Sequence, residues 1–156
     1  MQLPILRKFG RGLCLLVCVG LCATGCQSFN GSSSDNLTSV IISGKPAADV
    51  TSAIQTVFTN HGFTGGQTGA GQFTYERPGS EADNLAYGNY MFHQQVTVRV
   101  VVTLDQTDAS SMLLACNAWL VVAEGDMTAQ DTHKVGQLEK HPYEQLLQEV
   151  KTRLGE

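Results

Sequence analysis

Residues 94–124, QQVTVRVVVTLDQTDASSMLLACNAWLVVAE, decide the fold of this chain. Apolar residues alternate with other side chains in both halves, which is the pattern of a β-strand that buries one face. In 94–104 every second residue from Val96 onwards is apolar, and the even positions from Met112 to Val122 repeat the pattern. The polar connection at 105–111 is short. We therefore predict an antiparallel hairpin of two long strands.

The two faces of this predicted hairpin differ in composition. Even-numbered positions are apolar, whereas the odd-numbered positions include Arg99, Val101, Asn117 and Trp119. A sheet face with an exposed arginine and tryptophan has the composition that protein interfaces favour. We predict that these four residues are partly exposed and belong to a protein-contact surface.

Shorter patterns complete the predicted order of strand, helix, strand, strand, strand, helix. A β-branched segment at 38–43 predicts the first strand, and alternation at 72–76 predicts the second. Apolar residues at helical spacing predict one helix from Pro46 to Asn60, which Gly62 closes, and another over 142–154.

This order predicts an α+β fold, a two-layer sandwich with two helices on one face of a four-stranded, mostly antiparallel sheet. Ser80–Ala86 has the sequence of a helix of one or two turns. Gly65–Gly71 is rich in glycine but lacks the following helix and the lysine of a phosphate-binding loop, so we predict a mobile loop. Gly125–Glu139 has no apolar periodicity and is predicted to be a long loop.

The N-terminal residues carry a targeting pattern. Three basic residues precede an uncharged apolar run of 11 residues, Leu13–Ala23, and small residues at 23–25 lead to Cys26. This pattern resembles the signal peptide and lipobox of bacterial lipoproteins. The resemblance implies that residues 1–25 are removed and that Cys26 carries acyl chains which anchor the chain to a membrane.

Two other interpretations of the leader remain open: a plain secretory peptide, and an uncleaved transmembrane anchor. The second is disfavoured because 11 apolar residues fall short of the ~20 that span a bilayer. In the sorting rule of enteric lipoproteins, which this leader resembles, Asp after the cysteine retains a protein at the inner membrane. Gln27 stands there instead, which implies the outer membrane where two membranes exist.

The part of the chain that follows is predicted to be one acidic domain on a tether. Residues 26–37 are polar and small, as in a flexible linker, and residues 38–156 form the α+β domain. Beyond residue 25 there are seven basic and 14 acidic residues, a net charge of −7. This charge argues against nucleic acid as a partner. Cys116 is predicted to be buried, because no basic residue nearby would activate its thiol.

No catalytic motif, cofactor signature or metal-ligand spacing stands out in the sequence. We therefore expect a non-enzymatic envelope lipoprotein without cofactor or metal, which binds another envelope protein. In element order alone the domain resembles small domains of lipoproteins in the β-barrel and lipopolysaccharide assembly machineries. The alternative is a small-molecule or glycan binder that uses an aromatic loop with Tyr87 and Tyr90, together with Trp119.

Overall fold

An antiparallel sheet with helices packed on one face forms the domain in the computed structural model, which describes residues 35–88, 95–122 and 131–156. The described residues belong to one compact unit. The predicted signal peptide, Cys26 and the beginning of the predicted tether lie outside them. The elements are β1 (Thr38–Ser43), α1 (Ala47–Asn60), β2 (Thr64–Gly69), β3 (Gln72–Pro78), α2 (Glu81–Tyr87), β4 (Val96–Gln106), β5 (Ser111–Val122), β6 (Asp131–Lys134), a 3₁₀ turn (Gln137–Glu139) and α3 (His141–Arg153).

The sheet order is β1-β5-β4-β3-β2, and β6 also pairs with β5. Every pairing is antiparallel. All of β4 pairs with one edge of β5, over residues 112–122. On the other edge, β1 pairs with residues 111–116 and β6 with residues 119–122. Strands β1 and β6 therefore lie end to end along the same edge of β5.

The hydrophobic core lies between the sheet and the two long helices. The even-numbered residues of β4 from Val96 to Val102 and those of β5 are buried on the inner face, as the alternation predicts. They form one cluster with the buried side chains of α1 and α3. The helical residues of this cluster are Val50, Ala53, Ile54, Val57, Phe58, Tyr143, Leu146, Leu147 and Val150. The predicted α+β class and the hairpin of β4 and β5 are confirmed.

Strand β2 corrects the prediction of a mobile loop at Gly65–Gly71. Residues Thr64–Gly69 pair with β3, and only the turn into β3 interrupts the two strands. Gly65 has a φ of 129°, and a Cβ atom at this position would come within 2.2 Å of the carbonyl oxygen of Thr74. Because the two backbones approach this closely, glycine fits at this position whereas other residues do not.

Strand β6 corrects the prediction of one long loop over Gly125–Glu139, since Asp131–Lys134 pairs with β5 and is followed by a 3₁₀ turn. Its four side chains are all exposed, so the segment has no apolar alternation to reveal it. Within the described ranges the sheet consequently has six strands rather than the predicted four. The short helix predicted at Ser80–Ala86 is present as α2, in addition to the two long helices.

Local signals at the helix ends are largely confirmed. Gly62 has a φ of 77° after α1, and Phe63 folds back to donate its N–H to the Phe58 carbonyl at 3.0 Å. The Ser80 and Asp83 side chains form a reciprocal capping box at the start of α2. Pro46 is the residue before α1 rather than its first helical residue, a difference of one position.

Candidate functional site

The register of β4 and β5 brings together the four residues predicted to form a contact surface. Arg99 lies directly opposite Trp119, and Val101 lies opposite Asn117. The two pairs are neighbours on the outer face of the sheet, which is the face turned away from α1 and α3. All four side chains are partly exposed. We call this group of Arg99, Val101, Asn117 and Trp119 the outer-face patch.

Arg99 is held at one side of the patch by an acidic residue of the neighbouring strand. Its Nε donates to Glu76 Oε1 at 2.6 Å, and Glu76 lies opposite Arg99 in the pairing of β3 with β4. About a third of each side chain is exposed. The ion pair fixes the direction of the guanidinium while leaving part of its surface in contact with solvent.

Asn117 has a structural role in addition to its position in the patch. Its Oδ1 accepts the N–H of Leu37 at 3.0 Å, and its Nδ2 donates to Asn36 Oδ1 at 3.1 Å. These bonds hold the segment that enters β1. A substitution at Asn117 would therefore disturb the fold as well as the patch.

Trp119 and Val101 are the members of the patch that contribute least to holding the fold together. Trp119 lies between Arg99 on β4 and Lys134 on β6, and it is not fully buried beneath its own chain. An amphipathic ring flanked by two cations can bury its apolar surface against a partner while the charges stay at the rim. Contact with a partner remains a prediction.

The outer face is not uniformly exposed. Ala115 and Val121 lie on it, and both are almost completely buried although neither belongs to the core cluster of the inner face. The alternation of β5 correctly predicts their direction but not their burial. Their burial interrupts an outer face that is otherwise partly exposed along both strands.

Tyr87 and Trp119, the two described aromatic residues of the alternative binding site, do not come together. Tyr87 is 40% exposed at the end of α2, and its ring centroid lies 5.2 Å from that of His133. His133 pairs with Leu120, so its side chain points to the inner side of the sheet, opposite to Trp119. One pocket therefore cannot use both Tyr87 and Trp119. Tyr90 lies outside the described residues.

A shallow open depression of about 400 Å³ lies where the loop before α1 meets the connection between β4 and β5. It is lined by Lys45, Pro46, Gln106 and Met112, among others, and includes none of the predicted site residues.

Among the described residues, no group of three or more His, Cys, Asp or Glu side chains is placed to hold a metal ion. No helix in the described ranges has both the length and the apolar composition to cross a membrane.

The polar groups in the interior are kept neutral. Burial raises the pKa of Cys116 to about 12, and it does the same to Tyr75 and Tyr143. The thiol of Cys116 lies in the core, as predicted, and is protonated at neutral pH. His61 forms an exposed pair with Glu149 at 2.7 Å, which links the end of α1 to α3.

Among the exposed apolar residues that were not singled out from the sequence, Ile41 is the one that lies in the sheet. Ile41 is 55% exposed on the outer face of β1, where it lies opposite Leu113. The signal was present, because the alternation of a strand places Ile41 on the opposite side to Val40 and Ile42. Ile41 is exposed because it lies on the outer face of an edge strand, which has a neighbouring strand on only one side.

Comparisons with known proteins reveal no relative of the chain. No family model matches the sequence, and neither a curated protein nor a solved structure matches it.

Proposed function

We propose that the chain is a membrane-anchored envelope lipoprotein without enzymatic activity, and that its outer-face patch binds another envelope protein. The observation that supports the patch best is the register of β4 and β5, which makes two adjacent cross-strand pairs from four residues of dissimilar type. Tryptophan and arginine contribute more than other residues to protein interfaces when they are buried by a partner.

The shape of the surface favours a protein partner over a small molecule. The patch lies in the middle of a sheet face, with Glu76 on one side and Lys134 on the other. Small ligands bind in concave sites that enclose most of their surface, whereas proteins bind flat surfaces with an apolar centre and a polar rim. Val101 and Trp119 would supply that centre.

The anchor is proposed from the sequence. Cys26 follows the apolar leader and the small residues that precede a lipidation site. Leu37 is buried and Asn117 holds both Asn36 and Leu37, so the linker is shorter than the predicted 26–37. Nine flexible residues, 26–34, would have a typical end-to-end distance of about 16 Å. This length would let the domain clear the lipid headgroups while the acyl chains hold it at the surface.

Site-specific photo-crosslinking in cells tests the patch. A photo-crosslinking amino acid at position 101 should give a discrete adduct with an envelope protein. The same amino acid at the exposed position Gln148 on α3, on the other layer of the domain, is the matched control and should give none. If position 101 gives no adduct, or the same adducts as position 148, the outer-face patch is not the contact surface.

Fatty-acid labelling tests the anchor. Wild type and Cys22→Ala should incorporate the probe and fractionate with membranes, whereas Cys26→Ala should do neither. Cys22 is the matched control because it is the other cysteine close to the proposed cleavage site. An unlabelled wild type, or equal membrane retention of all three chains, contradicts lipid attachment at Cys26.

A second candidate function, the binding of a small molecule or glycan, is supported by the exposed ring of Tyr87 beside His133. The face of an exposed aromatic ring can stack on a sugar. A glycan array probed with wild type and Tyr87→Ala tests it: binding that the substitution does not weaken, or no binding at all, rejects this candidate.

A further inference from the structure

The edge of β1 that faces away from β5 exposes part of its backbone. Gly44 donates to the Ser110 carbonyl, so the even residues of β1 form the hydrogen-bonded pairs with β5. In an antiparallel pair the residues between them direct both N–H and C=O to the other side. The backbone groups of Ser39, Ile41 and Ser43 therefore point outward.

Side chains cap this edge at its two ends. The Ser43 N–H donates to Glu156 Oε1 at 2.8 Å, and the Leu37 carbonyl accepts from Gln137 Nε2 at 3.3 Å. Between the caps, the outward N–H and C=O groups of Ser39 and Ile41 have no hydrogen-bond partner among the described residues. Four backbone groups in a row are thus available to another strand.

The side chains of β1 do not protect this edge. Its sequence, TSVIIS, contains neither a charge nor a proline, the devices that usually keep edge strands apart, and Ile41 is largely exposed. Strand β2 at the opposite edge has an irregular register between Gln67 and Gly69, and Gln55 donates to its Gly65 carbonyl. Strand β6 has charged side chains.

We propose that β1 pairs with β1 of a second copy of this chain, antiparallel, about a two-fold axis at Val40. In this register Ser39 lies opposite Ile41 of the second copy, and each residue exchanges N–H and C=O with the other. The two symmetric pairs form four hydrogen bonds from the four groups that each copy leaves open. No charged residue of β1 meets its own copy, so an isologous contact of this kind is free of like-charge repulsion.

In the same register, each cap occupies a backbone group that would otherwise bond to the second copy. Ser43 of one copy comes opposite Leu37 of the other, and its N–H would donate to the Leu37 carbonyl. Glu156 and Gln137 now hold these two atoms. The caps compete with the second copy, so removing a cap strengthens the dimer.

The contact is expected to be weak and to depend on concentration. One pair of six-residue strands buries less than the roughly 1,200 Å² of a stable interface, so a dissociation constant on the order of 100 μM is expected. This site is separate from the outer-face patch and binds a different partner. The two proposals can therefore fail independently.

The test uses the purified full chain in detergent micelles, measured by sedimentation and by residue-resolved amide exchange over a range of protein concentrations. The amides of Ser39 and Ile41 should become protected as the concentration rises. The amides of Val40 and Ile42, which are bonded to β5, should be protected throughout.

Substitutions separate this edge from other surfaces. Ile41→Lys places like charges beside the axis and should weaken dimerisation by about tenfold or more. Leu138→Lys is the matched control, since Leu138 is 100% exposed and lies on the 3₁₀ turn, and it should change nothing. Glu156→Ala should strengthen dimerisation severalfold.

Three outcomes would overturn the proposal. The first is a wild type that stays monomeric up to a concentration on the order of 1 mM. The second is a dimer that Ile41→Lys and Leu138→Lys affect equally. The third is dimerisation without protection of the Ser39 and Ile41 amides.

Discussion

The inner and outer faces of β4 and β5 share the same backbone, yet they are packed differently. On the inner face, Val100 is completely buried between Tyr75 and Ala118 beneath the helices. On the outer face, the next residue, Val101, is partly exposed beside Asn117. A shift of one residue in phase therefore separates positions that determine stability from positions available for contact.

The largest expected difference between the faces comes from placing a charge on each. Val100→Asp puts an unpaired carboxylate in the core and should unfold the domain, because burying an isolated charge costs more than the fold can offset. Thr103→Asp, on the outer face of the same strand, should cost about 1 kcal/mol. Thermal unfolding followed by circular dichroism measures both, and comparable Tm values would contradict the assigned phase of β4.

Shortening adjacent leucines of β5 gives the next largest contrast. Leu114 is completely buried and Leu113 is partly exposed on the other face. Leu114→Ala should lower the free energy of unfolding by about 2–5 kcal/mol through lost transfer energy and a residual cavity. Leu113→Ala should cost about 1 kcal/mol or less. Denaturant titrations that give equal losses would remove the distinction between the faces.

Val121 sharpens the comparison from within the outer face, because it is fully buried there while Val101 is not. At about 0.8 kcal/mol for each buried methylene, Val121→Ala should cost about 1.5 kcal/mol, and Val101→Ala about half of that or less. Both changes lose the β-propensity of valine, so the difference between the two losses of stability measures the effect of burial. A larger loss at Val101, measured by urea denaturation, would show that the patch is a structural element.

The smallest expected effect is the response of the inner face to alkaline pH. Burial raises the folded-state pKa of Cys116 from 9.0 to about 12, so its stabilising contribution is complete below pH 9 and is lost as pH rises towards the folded-state value. At pH 10 this loss should be on the order of 1 kcal/mol. Cys116→Ala should flatten the fall in stability between neutral pH and pH 10. If Cys116→Ala leaves the fall in stability unchanged, other titrating groups cause that fall.

Sequence periodicity predicted the elements that bury a regular apolar stripe. It located α1, α3, β4 and β5, and it correctly placed the members of the outer-face patch on one side of the hairpin. It did not predict β2 and β6, because the side chains of these strands show no apolar alternation. Strand β2 exists because glycine lets its backbone approach Thr74, and β6 because β5 has an edge that β1 leaves open. Such strands depend on partners distant in sequence, which a local pattern cannot show.

The position of β1 in the sheet also has a consequence for the folding pathway. Leu37 reaches Asn117 across 80 residues of chain, whereas β4 and β5 are joined by a short connection. Because closing a long loop costs more entropy, we expect β1 to pair after the β4–β5 hairpin has formed. Pulse-labelled hydrogen exchange during refolding tests this order, and early protection of the β1 amides would contradict it. Until the hairpin forms, TSVIIS is an unpaired, aggregation-prone peptide, so the time for which it stays exposed depends on how quickly β5 is synthesised and folds.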